Sequence, residues 1–287
     1  MNYLILSDYL REDMPNGLGG AELALEALIE LVREDGNGTK NKLFVKRCAQ
    51  TTPEFIKDFN GGIIISNRQH LSEDCKKELY KKKYLLWDHD FAYLKSRDAG
   101  IYENLKAPED QIINRAIYEN AERVVCQSFC QSFAVKQNLG ISAICTKGNP
   151  WSQKSLDFYK TLQEIPKEHP YGVMMHPYET KGTAAAIKLC EDNDWPYTLI
   201  PPMAHRDFVI ELAKCGIFVF TPKIFETFSR VCQEARFVNT DLIVNQRVAF
   251  NEEDYSRLKG LEAIERAERN NKKIKEFFLG NYETKFE

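Results

Sequence analysis

The sequence predicts an α/β protein made of two parallel-sheet units. Short apolar runs alternate with longer amphipathic stretches along the chain, the pattern of β-α units rather than of hairpins or bundles. The alternation is interrupted once, near 150–170, where Pro150, Pro166 and Pro170 break any long periodic element. A length of 287 residues also suits two compact domains.

In the first unit, strands are expected at "YLILS" (3–7), "KLFVK" (42–46), "GIIIS" (62–66), "YLLWD" (84–88), "RVVCQ" (123–127) and "AICTK" (143–147). Helices are expected between them, notably over 20–34, 73–82, 109–121 and 128–139. The segment "PWSQKSLDFYKTLQEIPKEHPYG" reads as a connector. Strands at 171–176, 197–202, 217–222 and 241–245 then follow, joined by helices at 181–193, 204–215 and 229–239, which makes an open parallel sheet. Beyond Tyr255, Leu258, Leu261, Ile264, Ala267, Ile274, Phe277 and Phe278 fall on one helical stripe, expected to pack back across both units. The domains are expected at 1–155 and 168–268, with a helix at 270–287 returning to the first.

With 39 basic and 42 acidic side chains the net charge is −3, so no overall basic field points to nucleic acid or an anionic membrane; a local basic groove stays open. The start "MNYLILSDYL" meets Arg11 and Glu12 too soon for a signal sequence, and no later apolar run approaches ~18 residues. The expectation is a soluble intracellular protein, cytoplasmic, or a viral protein in a host cytoplasm. The eight cysteines contain no C-x2-C pair, and Cys126 and Cys130 are the only close pair. Reduced, packed thiols are expected, with metal ligation or disulfides as the alternative.

In open α/β sheets ligands bind beyond the carboxyl ends of the strands, so the loops there carry the functional reading. After the first strand, Gly17, Gly19 and Gly20 precede the helix "AELALEALIELV". They leave amides free to approach an anion at the helix terminus, or they are a plain glycine turn; the spacing matches neither G-x-G-x-x-G nor the P-loop. In "DHDFAYL", His89 between two acids could contact a sugar hydroxyl or move a proton. Asp90 could equally cap a turn, or the Asp88–Asp90 pair could hold a divalent cation. In "MHPYETKGTAAAIKLC", Lys181 and Gly182 open a helix, where a lysine adds its charge to the helix terminus and can hold a diphosphate. In "FVFTPKIFETFSRVCQEARF", Glu226 sits in a loop, residues 227–229 form the helix entrance, and Glu234 lies within the helix. The two carboxylates can accept from sugar and ribose hydroxyls and the entrance amides can bind phosphate; an ordinary amphipathic helix burying Val231, Ala235 and Val238 is the other reading.

Taken in order, "GLGGAE", the helix-opening "KG" and "FETFSRVCQE", with its E-x7-E spacing, resemble the retaining glycosyltransferases of the GT-B fold, family-four type. The resemblance is strongest at 217–245 and weaker at 15–26, 84–98 and 176–187. It implies two Rossmann-like domains with mainly parallel sheets facing across a cleft. The second would hold a nucleotide-sugar donor, expected to be a UDP- or GDP-sugar, and the first a hydroxyl acceptor. It further implies retention of anomeric configuration with no metal or other cofactor. By matched position, Gly19 and Gly20 would lie against the donor diphosphate and Lys181 would pair with it. Glu226 would bind the sugar hydroxyls, the entrance Thr227, Phe228 and Ser229 would meet phosphate or sugar, Glu234 would grip the ribose, and His89 would stand near the sugar. Catalysis would fall to Glu226, His89 and Lys181.

The sequence departs from that pattern in two places. Met175 and His176 stand where the family has an arginine, and Arg230, or His176, is the candidate replacement. The entrance also lacks the small glycine usual after the phenylalanine. Two other readings stay open: a metal-dependent GT-A transferase using Asp88 and Asp90, and a catalytically inactive GT-B fold serving as a binding module. The acceptor is expected to be a saccharide or lipid-linked saccharide, with a modified DNA base as the alternative. Tyr84, Trp87, Phe91, Tyr93, Lys95 and Arg97 would line its groove, or would be core and rim.

Overall fold

A computed structural model describes residues 1–10, 13, 19–33 and 38–286; Gly17 lies outside the described residues. Six strands, β1 (Asn2–Ser7), β2 (Lys42–Arg47), β3 (Gly62–Ile65), β4 (Leu85–Trp87), β5 (Arg123–Cys126) and β6 (Ile144–Cys145), form a sheet ordered β2-β1-β3-β4-β5-β6. Four more, β7 (His169–Met174), β8 (Tyr197–Ile200), β9 (Cys215–Phe220) and β10 (Asp241–Val244), form a second ordered β10-β9-β7-β8. Every pairing is parallel, as in Ile5 with Val45 and Ile64, or Val173 with Leu199 and Val219.

The central strands are apolar at successive positions because helices cover both faces, so neither side can afford a polar residue. On the first sheet, Leu4, Leu6, Ile63, Ile65 and Leu86 point to the layer of α2 (Pro53–Asp58), α3 (Glu73–Leu79), α4 (Arg115–Glu119) and α5 (Phe129–Leu139). Tyr3, Ile5, Ile64, Leu85 and Trp87 point the other way, onto α1 (Gly20–Val32) and the end of α10 (Gly260–Phe278). In the second sheet, Phe218 and Phe220 face α6 (Gln153–Lys160), α8 (His205–Ala213) and α9 (Arg230–Phe237), whereas Val173 and Val219 face α7 (Thr183–Asp192). Along α10, Ala263, Ile264 and Ala267 belong to the second core and Ile274, Phe277 and Phe278 to the first. One helix thereby ties the two units together.

Two elements differ from expectation. The helix expected over 109–121 is a 3₁₀ turn (Glu109–Gln111) followed by the short α4. Between them Ile113 N donates to Tyr93 O, Ile112 bridges Leu94, and Asn114 takes a left-handed φ of 53°, so tertiary pairing wins over helical propensity. The expected connector instead contains α6, capped by Ser152, whose Oγ accepts from Ser155 N. Pro150 and Pro166 limit that helix without preventing it. Trp151 and Leu156 belong to the second core. All eight cysteines carry free thiols. Among the described residues, no helix is long and apolar enough to cross a membrane.

Candidate active site

The strand order of the second sheet reverses between β7 and β9, and a crevice opens where the loops leaving such neighbours diverge. Lys181 follows β7 and Glu226 follows β9, and Lys181 Nζ donates to Glu226 Oε1 at 2.6 Å. Forty-five positions apart in sequence, the two are adjacent because their strands are.

Gly182 makes that approach possible. Its φ is +74°, and a Cβ there would lie 1.9 Å from the carbonyl oxygen of Thr221 at the end of β9. On the opposite side, Glu226 N donates to Arg247 O at 2.7 Å and Glu226 O accepts from Ala249 N at 3.0 Å. The Glu226 loop is thus stitched to the chain leaving β10.

The first unit also holds this loop. Asp98 Oδ1 accepts from Phe225 N at 3.2 Å and from Gly100 N at 2.8 Å, and Asp98 Oδ2 lies 3.7 Å from Arg247 Nη1. Thr227 Oγ1 donates to His89 O at 2.6 Å. Asp98 therefore touches both flanks of Glu226 from across the cleft. Asp98→Ala would leave the part-buried Phe225 and Gly100 amides unmet and is expected to cost about 1 kcal/mol. Hydrogen exchange should show faster exchange at the Phe225 and Gly100 amides with the β1 amides unchanged; unaltered protection at Phe225 would refute the clamp.

His89 packs at a tilt against Trp87, with ring centroids 4.2 Å apart. Gln127 Nε2 lies 3.0 Å from its Nδ1 and 3.4 Å from Asp88 O, an acceptor, so this amide nitrogen donates and Nδ1 accepts. His89 Nε2–H is then left to donate to Ser66 Oγ at 2.8 Å. Burial, and secondarily the Arg68 guanidinium, lower its pKa to about 3. The ring is neutral with both nitrogens engaged, which suits hydrogen bonding to a hydroxyl and not proton transfer.

The amino ends of α1 and α9 meet across the cleft: a Cβ on Gly20 would lie 3.5 Å from Arg230 Cβ. Gly19 caps α1, and the Glu22 carboxylate folds back to within 2.4 Å of where its Cβ would be. Ser229 caps α9 with φ 70°, ψ 81°. This left-handed conformation is one that glycine adopts freely and serine rarely. Phe228 is buried against Phe250, so only its backbone faces the entrance.

Arg230 does not stand free as a second diphosphate cation. Its guanidinium lies 3.4 Å from the Trp151 ring centroid, Nη1 donates to Pro150 O at 3.0 Å, and burial lowers its pKa. His176 accepts from Tyr178 N at 3.1 Å, and burial, then Lys181, lower its pKa too. Glu234 is 3 % exposed, and its Oε1 accepts from Tyr159 Oη at 3.0 Å and pairs with His205 Nε2 at 2.8 Å. Neither partner is legible in the local sequence around Glu234; His205 opens α8, directly after β8.

Burial alone would raise the Glu234 carboxyl, but His205 and Arg230 hold it below its usual 4.5. Glu234 in turn raises His205 above its usual 6.5. The carboxylate's contribution to stability is therefore complete above pH 4.5 and lost as pH falls through its lowered pKa. That of His205 is complete below pH 6.5 and lost as pH rises through its raised pKa. Urea denaturation should show the gap between wild type and His205→Gln widest between those values and narrowing on the alkaline side; a gap constant to pH 9 would refute the pairing.

Asp88 and Asp90 do not form an open carboxylate pair. Asp88 is fully buried, and its Oδ1 accepts from Arg68 at 3.2 Å and Tyr118 at 2.9 Å; Asp90 pairs with Arg97. Each carboxylate thus has a cationic partner in the structure. Tyr84, Trp87, Phe91 and Tyr93 are buried in the core, leaving only Lys95 and Arg97 exposed. A cavity of about 420 Å³ lies in the first unit, between α3 and α4, lined by neither Lys181 nor Glu226.

No family model matches the chain, and no curated protein matches it. Solved structures do. HepE from Anabaena, crystallised with UDP, is 13 % identical over 96 % of this chain and 91 % of its own, with a TM-score of 0.56. AviGT4, a glycosyltransferase involved in avilamycin A biosynthesis, is 11 % identical over 99 % and 94 %, with a TM-score of 0.53. The trehalose-6-phosphate synthase OtsA is 8 % identical over 97 % and 94 %, with a TM-score of 0.51. At such identities the likeness concerns architecture: two parallel α/β units joined by a returning helix, the GT-B fold of glycosyltransferases.

Proposed function

We propose that this chain is a glycosyltransferase that moves a sugar from a nucleoside diphosphate donor to a hydroxyl acceptor. The observation that carries the reading is the Lys181–Glu226 pair at the switch point of the second sheet, in the cleft where the amino ends of α1 and α9 meet. Two helix amino termini and a lysine concentrate positive potential where a diphosphate would develop charge on leaving. UDP is the favoured nucleotide, since HepE structures hold UDP and UDP-glucose.

In the structure Lys181 and Glu226 neutralise each other. Donor binding exchanges partners: Lys181 turns to the diphosphate and Glu226 accepts from the sugar hydroxyls, so neither charge is left unpaired. The amides of Phe228 and Ser229 and the ends at Gly19 and Gly20 line the phosphate path. His89 exchanges Ser66 for a sugar hydroxyl, and Glu234, reached past the half-exposed His205, takes the ribose. Charge from the protein alone serves the leaving group, so no metal is required in this reading. Retention follows from the motif resemblance, and the acceptor is read as a saccharide or lipid-linked saccharide, with a modified DNA base as the alternative.

The test is a thermal-shift panel of UDP, GDP, ADP, CDP and dTDP with EDTA present, on wild type and Glu234→Gln. A nucleotide at ~100 times its Kd should add about 2.7 kcal/mol. UDP stabilising wild type and less so Glu234→Gln is the expected result. No stabilisation by any nucleotide would favour the inactive binding module.

A further inference from the structure

The cavity between α3 and α4 opens at the carboxyl ends of β3 and β4, the edge of the sheet that carries His89. Arg68, Lys76 and Arg115 line it against a single carboxylate, Glu73. Each cation has an acidic partner, but the pairs are lopsided. The Lys76 side chain is 15 % exposed against 79 % for Glu73, and Arg115 is 32 % against 80 % for Glu109 and 51 % for Glu119. The cations are recessed and their carboxylates stand at the rim in water, where such pairs contribute little and exchange readily. Arg68 is recessed further, bonded through Nη1 and Nη2 to the one oxygen Asp88 Oδ1, while Asp88 Oδ2 is buried without a partner. Burial pushes the Asp88 carboxyl upward against the opposing pull of Arg68. Tyr80 adds a hydroxyl to the wall, and Asn114 an amide whose nitrogen is committed to Ala92 O, leaving its oxygen as acceptor. About 420 Å³ is the size of a small polar ligand rather than an ion alone.

We propose that this cavity binds the anionic group of the acceptor, making the acceptor a phosphorylated or carboxylated saccharide. The assignment to an acceptor rests on the transferase reading; the binding of an anionic sugar does not. Arg68, Lys76 and Arg115 hold the anion, displacing Glu73 and Glu109 from the rim. The Arg68–Asp88 pair joins this wall to His89, the residue next in the chain to Asp88.

The test is calorimetry on the full chain with glucose 6-phosphate, glucuronate, glucose and inorganic phosphate, on wild type, Arg115→Glu and Lys76→Ala. One or both anionic sugars should bind at least ~10-fold tighter than glucose and than phosphate, as for one or two charge-assisted contacts. Arg115→Glu should weaken that binding by ~10-fold or more, and Lys76→Ala by less, with UDP affinity unchanged in both. Which anionic sugar binds better tells phosphate from carboxylate recognition. Equal binding of glucose, phosphate as tight as the sugar phosphate, or no change in Arg115→Glu would overturn the proposal. UDP binding without anionic-sugar binding would fail this inference alone, and the reverse would fail the transferase reading and keep the cavity.

Discussion

Gly182→Ala is expected to destabilise the protein by roughly 2–5 kcal/mol and to weaken UDP binding, although it adds one methyl group. The cost has two sources. A non-glycine residue in the left-handed region costs about 1–2 kcal/mol, and overpacking typically adds about 1–3 kcal/mol. Here φ is +74° and the new Cβ would lie 1.9 Å from Thr221 O, a backbone atom that cannot swing away. Relief requires the β7–α7 loop to lift from β9, and Lys181, the residue before, moves with it out of reach of Glu226. Urea denaturation and UDP calorimetry on the same sample read both consequences. A variant as stable as wild type with unchanged UDP affinity would show that the loop does not need this contact.

Lys181→Met and Glu226→Gln are expected to lower turnover of the nucleotide sugar by ~10²–10³-fold, the usual loss for one preorganised electrostatic contact. Stability should hardly change, because a partly exposed ion pair is worth at most about 1 kcal/mol. The two should separate in binding. Lys181→Met removes the diphosphate partner and should weaken UDP itself. Glu226→Gln should leave UDP affinity within a few-fold while weakening the intact nucleotide sugar. Equal UDP affinity in wild type and Lys181→Met, or wild-type turnover in either variant, would take that residue out of the site.

All ten expected strands are present within about three residues of their expected ends, since a strand covered on both faces is a local apolar run and is legible as such. Helix lengths were less legible: 109–121 failed where Ile112 and Ile113 pair with the segment after β4. The candidate site was legible one loop at a time. That Lys181 and Glu226 meet, and that α1 and α9 face each other, required strand order. Asp98, Gln127, Tyr159 and His205 were missed because each acts through a contact at least 29 positions away in sequence.

From the sequence alone came the α/β class, the break into two series of β-α units, and the loops in which Lys181, Glu226 and His89 would be found. Local apolar periodicity and turn chemistry suffice for these. Tertiary structure decided what each of the named side chains is paired with. It left Lys181 and Glu226 paired at the cleft and buried Glu234 with His205 and Tyr159. It set Arg230 over Trp151 and closed Asp88 behind Arg68. Whether a charge is free depends on what folding brings against it, and that partner is encoded elsewhere in the chain.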